Sequence, residues 1–270
     1  MKTVTRAILI ACLSYGVSAY AVPTLQLTIE DGKYVNTTAA GKDETTYATG
    51  SVFTLYALLS PDTSNSLSDF YYISAAVVPK TAQTTPSPDL GSFSFNGSTV
   101  NVTSDMVYGT PPIDTVATQS SDPGDLADHG IFDTYFKQFE FQFASNRYVK
   151  AFDAQTSTPT DPLATDPSTA DKDKMYFTAF TVNVSNLKTG YSIHFDLYNT
   201  AVCGDDKGQC GVVGDVDQTQ FAPFSHDAQS IPNDDGGGPP KEIPEPASLA
   251  LLGLGLLGIG AIRRRKSLLN

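Results

Sequence analysis

Three kinds of side chain in this 270-residue chain could do chemistry: crowded carboxylates, scattered histidines and a close pair of cysteines. The stretch SDPGDLADHG brings Asp122, Asp125 and Asp128 together, and GDVDQTQ sets Asp215 beside Asp217. Calcium takes about six to eight oxygens from such acidic turns, so both stretches are candidate weak calcium sites. Neither follows the spacing of an EF-hand or a glycine-rich nonapeptide repeat, and a solvated turn is the preferred reading. His129, His194 and His226 each stand alone, without the H-x-H or H-x-x-x-H spacing that presents two imidazoles to one metal. They read as satisfied core or surface histidines that could share a metal only if the fold gathered them.

Nucleophilic chemistry finds little support. There is no G-x-S-x-G elbow. A glycosidase pair of carboxylates has a spacing that exists only in the fold, so a polysaccharide hydrolase stays as the third reading behind two non-enzymatic ones. Cys203 and Cys210 bracket the polar turn CGDDKGQC, and in an oxidising compartment they would close a local disulfide. A loop that short stabilises by about 2 kcal/mol. No C-x-x-C or paired histidine completes a zinc tetrahedron around them.

The chain holds 17 basic and 29 acidic residues. Lys2, Arg6, Arg263, Arg264, Arg265 and Lys266 are six of the basic ones, so the remaining 11 leave the part between the ends near −18. Such a surface repels nucleic acid and anionic lipid, and it suits solubility, divalent cations or a neutral polymer. Residues 1–21 carry Lys2 and Arg6, an apolar stretch from Ala7 to Val17, and Ala19-Tyr20-Ala21. That order predicts a secretory signal cut by signal peptidase after Ala21. Cys12, in the lipoprotein-like LIAC, has too little apolar sequence before it to serve as a lipid anchor.

These residues must be positioned by strands. TLQLTIE alternates Leu25, Leu27 and Ile29 with Thr24, Gln26 and Thr28, the pattern of a half-buried strand. SVFTLYALLS, FYYISAAVVP, GSFSFNGSTVNVT, YFKQFEFQFAS, MYFTAFTVNVS and YSIHFDLYNT repeat it with β-branched and aromatic residues. In KQFEFQF, Phe139, Phe141 and Phe143 share one face while Gln138, Glu140 and Gln142 share the other. At least seven strands without a helix between them predict an all-β fold: a single antiparallel β-sandwich of jelly-roll or immunoglobulin-like type over residues 22–230. The stretch from Ala151 to Lys174, rich in Thr, Asp and Pro, reads as a mobile loop. Tyr71 or Tyr72 could face outward and stack on sugar rings, although tryptophan, the best stacker, is absent. The sequons at Asn36, Asn96, Asn101 and Asn183 carry no glycan by default in a bacterium.

Residues 231–242 are glycine- and proline-rich and form a tether. Beyond it, residues 243–270 hold Pro244-Glu245-Pro246, an apolar run from Ala247 to Ile262, and Arg263, Arg264, Arg265 and Lys266. Sixteen helical residues span about 24 Å, less than the ~30 Å of a bilayer core, and four glycines weaken them further. The basic cluster fixes this end in the cytoplasm and leaves Glu245, held extended by its prolines, on the exported side.

Pro244-Glu245-Pro246, the small pair Ala247-Ser248, the Leu/Gly run and the terminal arginines, in that order, resemble the PEP-CTERM sorting signals of exosortase substrates in Gram-negative bacteria. The resemblance implies a single membrane helix at the inner membrane, recognition by an exosortase-type membrane peptidase, cutting near Pro-Glu-Pro, and transfer to the cell surface or beyond. Such proteins accompany exopolysaccharide production. The body faintly resembles the choice-of-anchor ectodomains that carry this tail, which implies no activity. The expectation is therefore an exported, non-enzymatic surface or matrix protein of a biofilm. A carbohydrate-binding module for the cell's own polysaccharide is the alternative.

Overall fold

The computed structural model describes residues 22–36, 44–62, 65–111, 132–199, 221–223 and 226–233. Within them the alternating runs form strands β1 (Leu25–Ile29), β2 (Lys33–Asn36), β3 (Glu44–Tyr47), β4 (Val52–Leu59), β5 (Tyr71–Val78), β6 (Ser92–Phe95) and β7 (Ser98–Asn101). They continue with β8 (Val107–Gly109), β9 (Thr134–Phe141), β10 (Tyr148–Lys150), β11 (Lys174–Asn183), β12 (Ser192–Asn199) and β13 (Asp227–Gln229). A 3-10 turn lies at Asp171–Asp173, just before β11.

The strands make two sheets. One runs β1-β4-β11-β6-β7, with β10 paired to β11, and the other runs β2-β3-β13-β12-β5-β9-β8. Every named pairing is antiparallel except that of β13 with β3, which is parallel. This departs from the purely antiparallel expectation. β13 is inserted between β12 and β3, antiparallel to the first and parallel to the second, so β3 and β12 run in opposite directions on either side of it.

The all-β expectation is met, and the inner faces of the two sheets share one core. Leu25, Leu27, Ile29, Leu55 and Val182 from the first sheet, and Ile73, Ile193, Phe195 and Leu197 from the second, are buried in a single cluster. Aromatic rings join the layers. Phe95 of β6 stacks on Phe139 of β9 with centroids 4.1 Å apart, and Phe53 meets Phe195 edge-on at 6.2 Å.

Two sequence expectations change here. β1 is not half-buried, because Gln26 and Thr28 are as inaccessible as its leucines. The cover is the Ala151–Lys174 stretch, which is tied down instead of running free. Its Ala154 N–H donates to Gln26 Oε1 at 2.8 Å, its Leu163 N–H to the Tyr56 hydroxyl at 3.0 Å, and its Asp166 N–H to the Tyr148 carbonyl at 2.9 Å. Phe152 and Leu163 of this loop pack on Tyr56, Leu58, Met175 and Phe177, a second small core on the outer face of the first sheet. That outer face was apolar enough to need a lid, and the loop supplies it.

Candidate functional site

The histidine that matters sits in β12. Strand alternation sends Ile193, Phe195 and Leu197 into the core, so His194, Asp196 and Tyr198 lie on the opposite face of the second sheet. Next door, β13 places Gln229 opposite His194 and Ala228 opposite Phe195, and continuing that register sets Asp227 opposite Asp196. On the other side β5 places Ala76 opposite His194 and Ser74 opposite Asp196, two small buried residues.

These side chains converge. His194 Nε2 is 3.4 Å from Asp196 Oδ1 and 3.2 Å from Asp227 Oδ2, and one ligand atom from each residue falls within 4.8 Å of the others. The cluster is shielded: the His194 side chain is 18% exposed, that of Asp196 11% and that of Asp227 2%. The other ring nitrogen, Nδ1, lies 3.3 Å from Gln229 Oε1, while Gln229 Nε2 donates to Ser192 Oγ at 3.2 Å. Because the amide nitrogen faces Ser192, its oxygen faces the imidazole, and Nδ1 must carry the proton of that bond. Nε2 is thereby aimed between two carboxylates.

Electrostatics follow from this placement. Burial is the largest influence on His194 and pulls its proton affinity down, but Asp227 and Asp196 together outweigh it and raise the imidazole well above its ordinary value. With no ion bound, Nε2 holds a proton shared by both carboxylates.

A second histidine takes the opposite state. His226 Nε2 lies 3.2 Å from Asp153 Oδ1, and Gln155 Nε2 approaches its Nδ1 at 3.5 Å. Burial dominates here and lowers His226 below the usual range, despite the hydrogen bond and charge of Asp153. A neutral ring that donates through Nε2 and accepts at Nδ1 fits those partners. This contact fastens the Ala151–Lys174 loop to the residue preceding β13.

The expected sites fall elsewhere. Asp122, Asp125, Asp128, Asp215, Asp217, His129, Cys203, Cys210, Ala19, Ala21 and the whole sorting tail, with Pro244, Glu245, Pro246 and Arg263 to Arg265, lie outside the described residues. Of the two tyrosines considered for sugar stacking, only Tyr72 lies on the outer face, where it is half-buried. Tyr71 is fully buried in the core, and Tyr72 stacks on Tyr198 at 5.7 Å while donating to Glu140 Oε2 at 2.6 Å. Tyr198 stacks in turn on Phe221 at 5.3 Å, so these rings pack on one another. The His194 cluster itself was missed, and its one sequence signal was the H-x-D spacing of His194 and Asp196, which on a strand puts both residues on one face.

Comparison with known families identifies a PEP-CTERM protein-sorting motif at residues 242–266. No curated protein matches the chain. No solved structure matches it either. Among the described residues no helix is long and apolar enough to cross a membrane, and the apolar run from Ala247 to Ile262 lies outside them.

Proposed function

We propose that this chain is a non-enzymatic surface or matrix protein whose β-sandwich body is delivered by an exosortase and resides with exopolysaccharide. The observation that carries the reading is the PEP-CTERM motif at residues 242–266, which marks an exported protein handled by that membrane peptidase and anchored in the membrane in passing. The rest is supported by chemistry. A strongly acidic chain with a formal charge of −12 stays soluble outside the cell and avoids anionic surfaces. A body of two packed sheets presents a stable surface joined to the tail by a glycine- and proline-rich tether.

Intact-mass measurement on surface-extracted protein tests the sorting step. Wild-type material should end near Pro246, and replacing Pro244, Glu245 and Pro246 with alanine should leave a longer, membrane-retained form. The alanines let the apolar helix extend outward over its own cleavage site. Surface material still carrying Arg263 to Asn270 would make the tail a plain anchor. Association with polymer is tested by deleting exopolysaccharide synthesis, which should shift the cut protein from the cell surface into the medium. Unchanged retention would remove that half of the proposal.

A further inference from the structure

We infer that His194, Asp196 and Asp227 form a binding site for one divalent transition cation of the zinc class, with Gln229 orienting the imidazole. The inference is independent of how the chain is sorted, since it rests on the second sheet alone.

Distance is the first argument. Two ligand atoms each about 2.1 Å from an ion stand about 3.0 Å apart at a right angle and about 3.4 Å apart at a tetrahedral angle. The Nε2 separations from Asp227 and Asp196, 3.2 and 3.4 Å, lie in that interval. A charge-assisted bond between imidazolium and carboxylate draws in to about 2.7–2.9 Å. The observed separations serve a hydrogen bond as well, as the 3.2 Å His226–Asp153 contact shows, so an ion can replace the shared proton with little movement of Nε2 and the two carboxylates.

Orientation is the second. Metal-bound histidines hand their remaining N–H to an oxygen that fixes ring and tautomer. Gln229 does this for His194, and Ser192 in turn fixes Gln229. The tautomer so imposed exposes the Nε2 lone pair to the carboxylates, where an ion takes the place of the proton.

The third is Ser74 of β5, the register partner of Asp196 in β12. It is fully buried, and its hydroxyl has no hydrogen-bond partner among the described residues. Buried hydroxyls are rarely left so. A water completing the coordination of an ion has the hydrogen that this oxygen accepts.

The donor set selects the ion. One imidazole nitrogen and two carboxylates suit zinc and its neighbours, whereas calcium takes oxygen donors alone and more of them. The ion would clamp β13, a strand of three residues, onto β12. Its effect is thus on a short interior strand of the sheet, the one that precedes the tether in the chain.

The test uses the full chain, stripped with EDTA and titrated with Zn²⁺, with Co²⁺ as a spectroscopic probe. The expected result is uptake of zinc that raises the melting temperature, and a cobalt spectrum of nitrogen and oxygen ligation without the thiolate charge-transfer band that Cys203 and Cys210 would give. His194→Gln and Asp227→Asn should weaken binding by about a hundredfold, and Gln229→Ala by about tenfold. Asp122→Asn combined with Asp125→Asn should leave it unchanged. Circular dichroism checks that each variant folds. Should His194→Gln fail to fold, Asp196→Asn and the wild-type cobalt spectrum decide. Binding of equal strength in Asp196→Asn, a thiolate spectrum, or no cation uptake at micromolar zinc would each overturn the inference.

Discussion

The side-chain oxygen of Gln26 accepts the backbone N–H of Ala154 at 2.8 Å, while its amide nitrogen donates to the Phe152 carbonyl at 3.1 Å. One buried glutamine so closes a separation of 128 residues between β1 and the loop that covers it. Gln26→Ala should strand a buried N–H and a buried carbonyl and cost about 2–3 kcal/mol. A urea midpoint lowered at unchanged slope, with faster proteolysis inside residues 151–174, is the expected readout. A midpoint equal to wild type would mean the loop does not depend on this residue.

Gly91 and Gly97 share a left-handed backbone, with φ of +82° and +78°, yet their surroundings differ. A Cβ on Gly91 would stand 2.1 Å from the Asn186 carbonyl oxygen and 2.9 Å from the Lys188 nitrogen, whereas one on Gly97 would meet nothing within 4 Å. Gly97→Ala, in the Asn-Gly turn between β6 and β7, should cost about 1 kcal/mol for its backbone conformation alone. Gly91→Ala must also push two backbone segments apart and should cost more than about 3 kcal/mol. Thermal melts of the two variants measure the difference, and equal losses would show that the Asn186 turn yields freely.

All seven runs read as strands contain at least one, because a run of seven or more residues with a β pattern outlasts the noise of composition. β2, β3, β8, β10 and β13 escaped notice, being three or four residues long and held by neighbours instead of by their own pattern. GSFSFNGSTVNVT, read as one run, is a hairpin folded at Asn96-Gly97. The candidate site was illegible for a related reason. His194 and Asp227 are 33 positions apart, and only the pairing of β12 with the unnoticed β13 makes them neighbours. The Ala151–Lys174 loop was misjudged because its composition is that of a solvated segment, while its anchors, Gln26, Tyr56 and Tyr148, are all in distant strands.

Phe95 lies between Phe139, at 4.1 Å, and Phe180, at 4.9 Å, and is 4% exposed. Removing the ring opens a cavity between the sheets that the flanking aromatics cannot close from both sides. Phe95→Ala should lose about 3–5 kcal/mol, and Phe95→Leu, which keeps most of the volume, less than half of that. Denaturant titration of both variants checks the order. A leucine variant as unstable as the alanine one would assign the stability to ring stacking and not to filled volume.

Alkali should unfold this protein through its tyrosines. Burial raises Tyr71 above the ordinary phenol range, with Asp69 and Asp62 adding to it. Burial also pushes Tyr34 up to about 12, helped by Glu44, Asp227 and Asp153. A phenol whose folded pKa is raised keeps its proton where the unfolded chain has lost it. Between pH ~10 and the folded value the native state therefore binds more protons, and stability falls as pH rises. The two residues should respond differently to loss of the hydroxyl. Tyr71 donates to the Ser66 carbonyl at 2.8 Å, so Tyr71→Phe should cost about 1 kcal/mol at neutral pH. The Tyr34 hydroxyl is buried and has no hydrogen-bond partner among the described residues, so Tyr34→Phe should be neutral or slightly stabilising and should move the alkaline midpoint upward. Following tyrosinate absorbance and circular dichroism together during a base titration checks this, the two signals changing in step for the late-ionising fraction. Full ionisation of all 13 tyrosines while the circular dichroism stays native would show that none of these phenols is held by the fold.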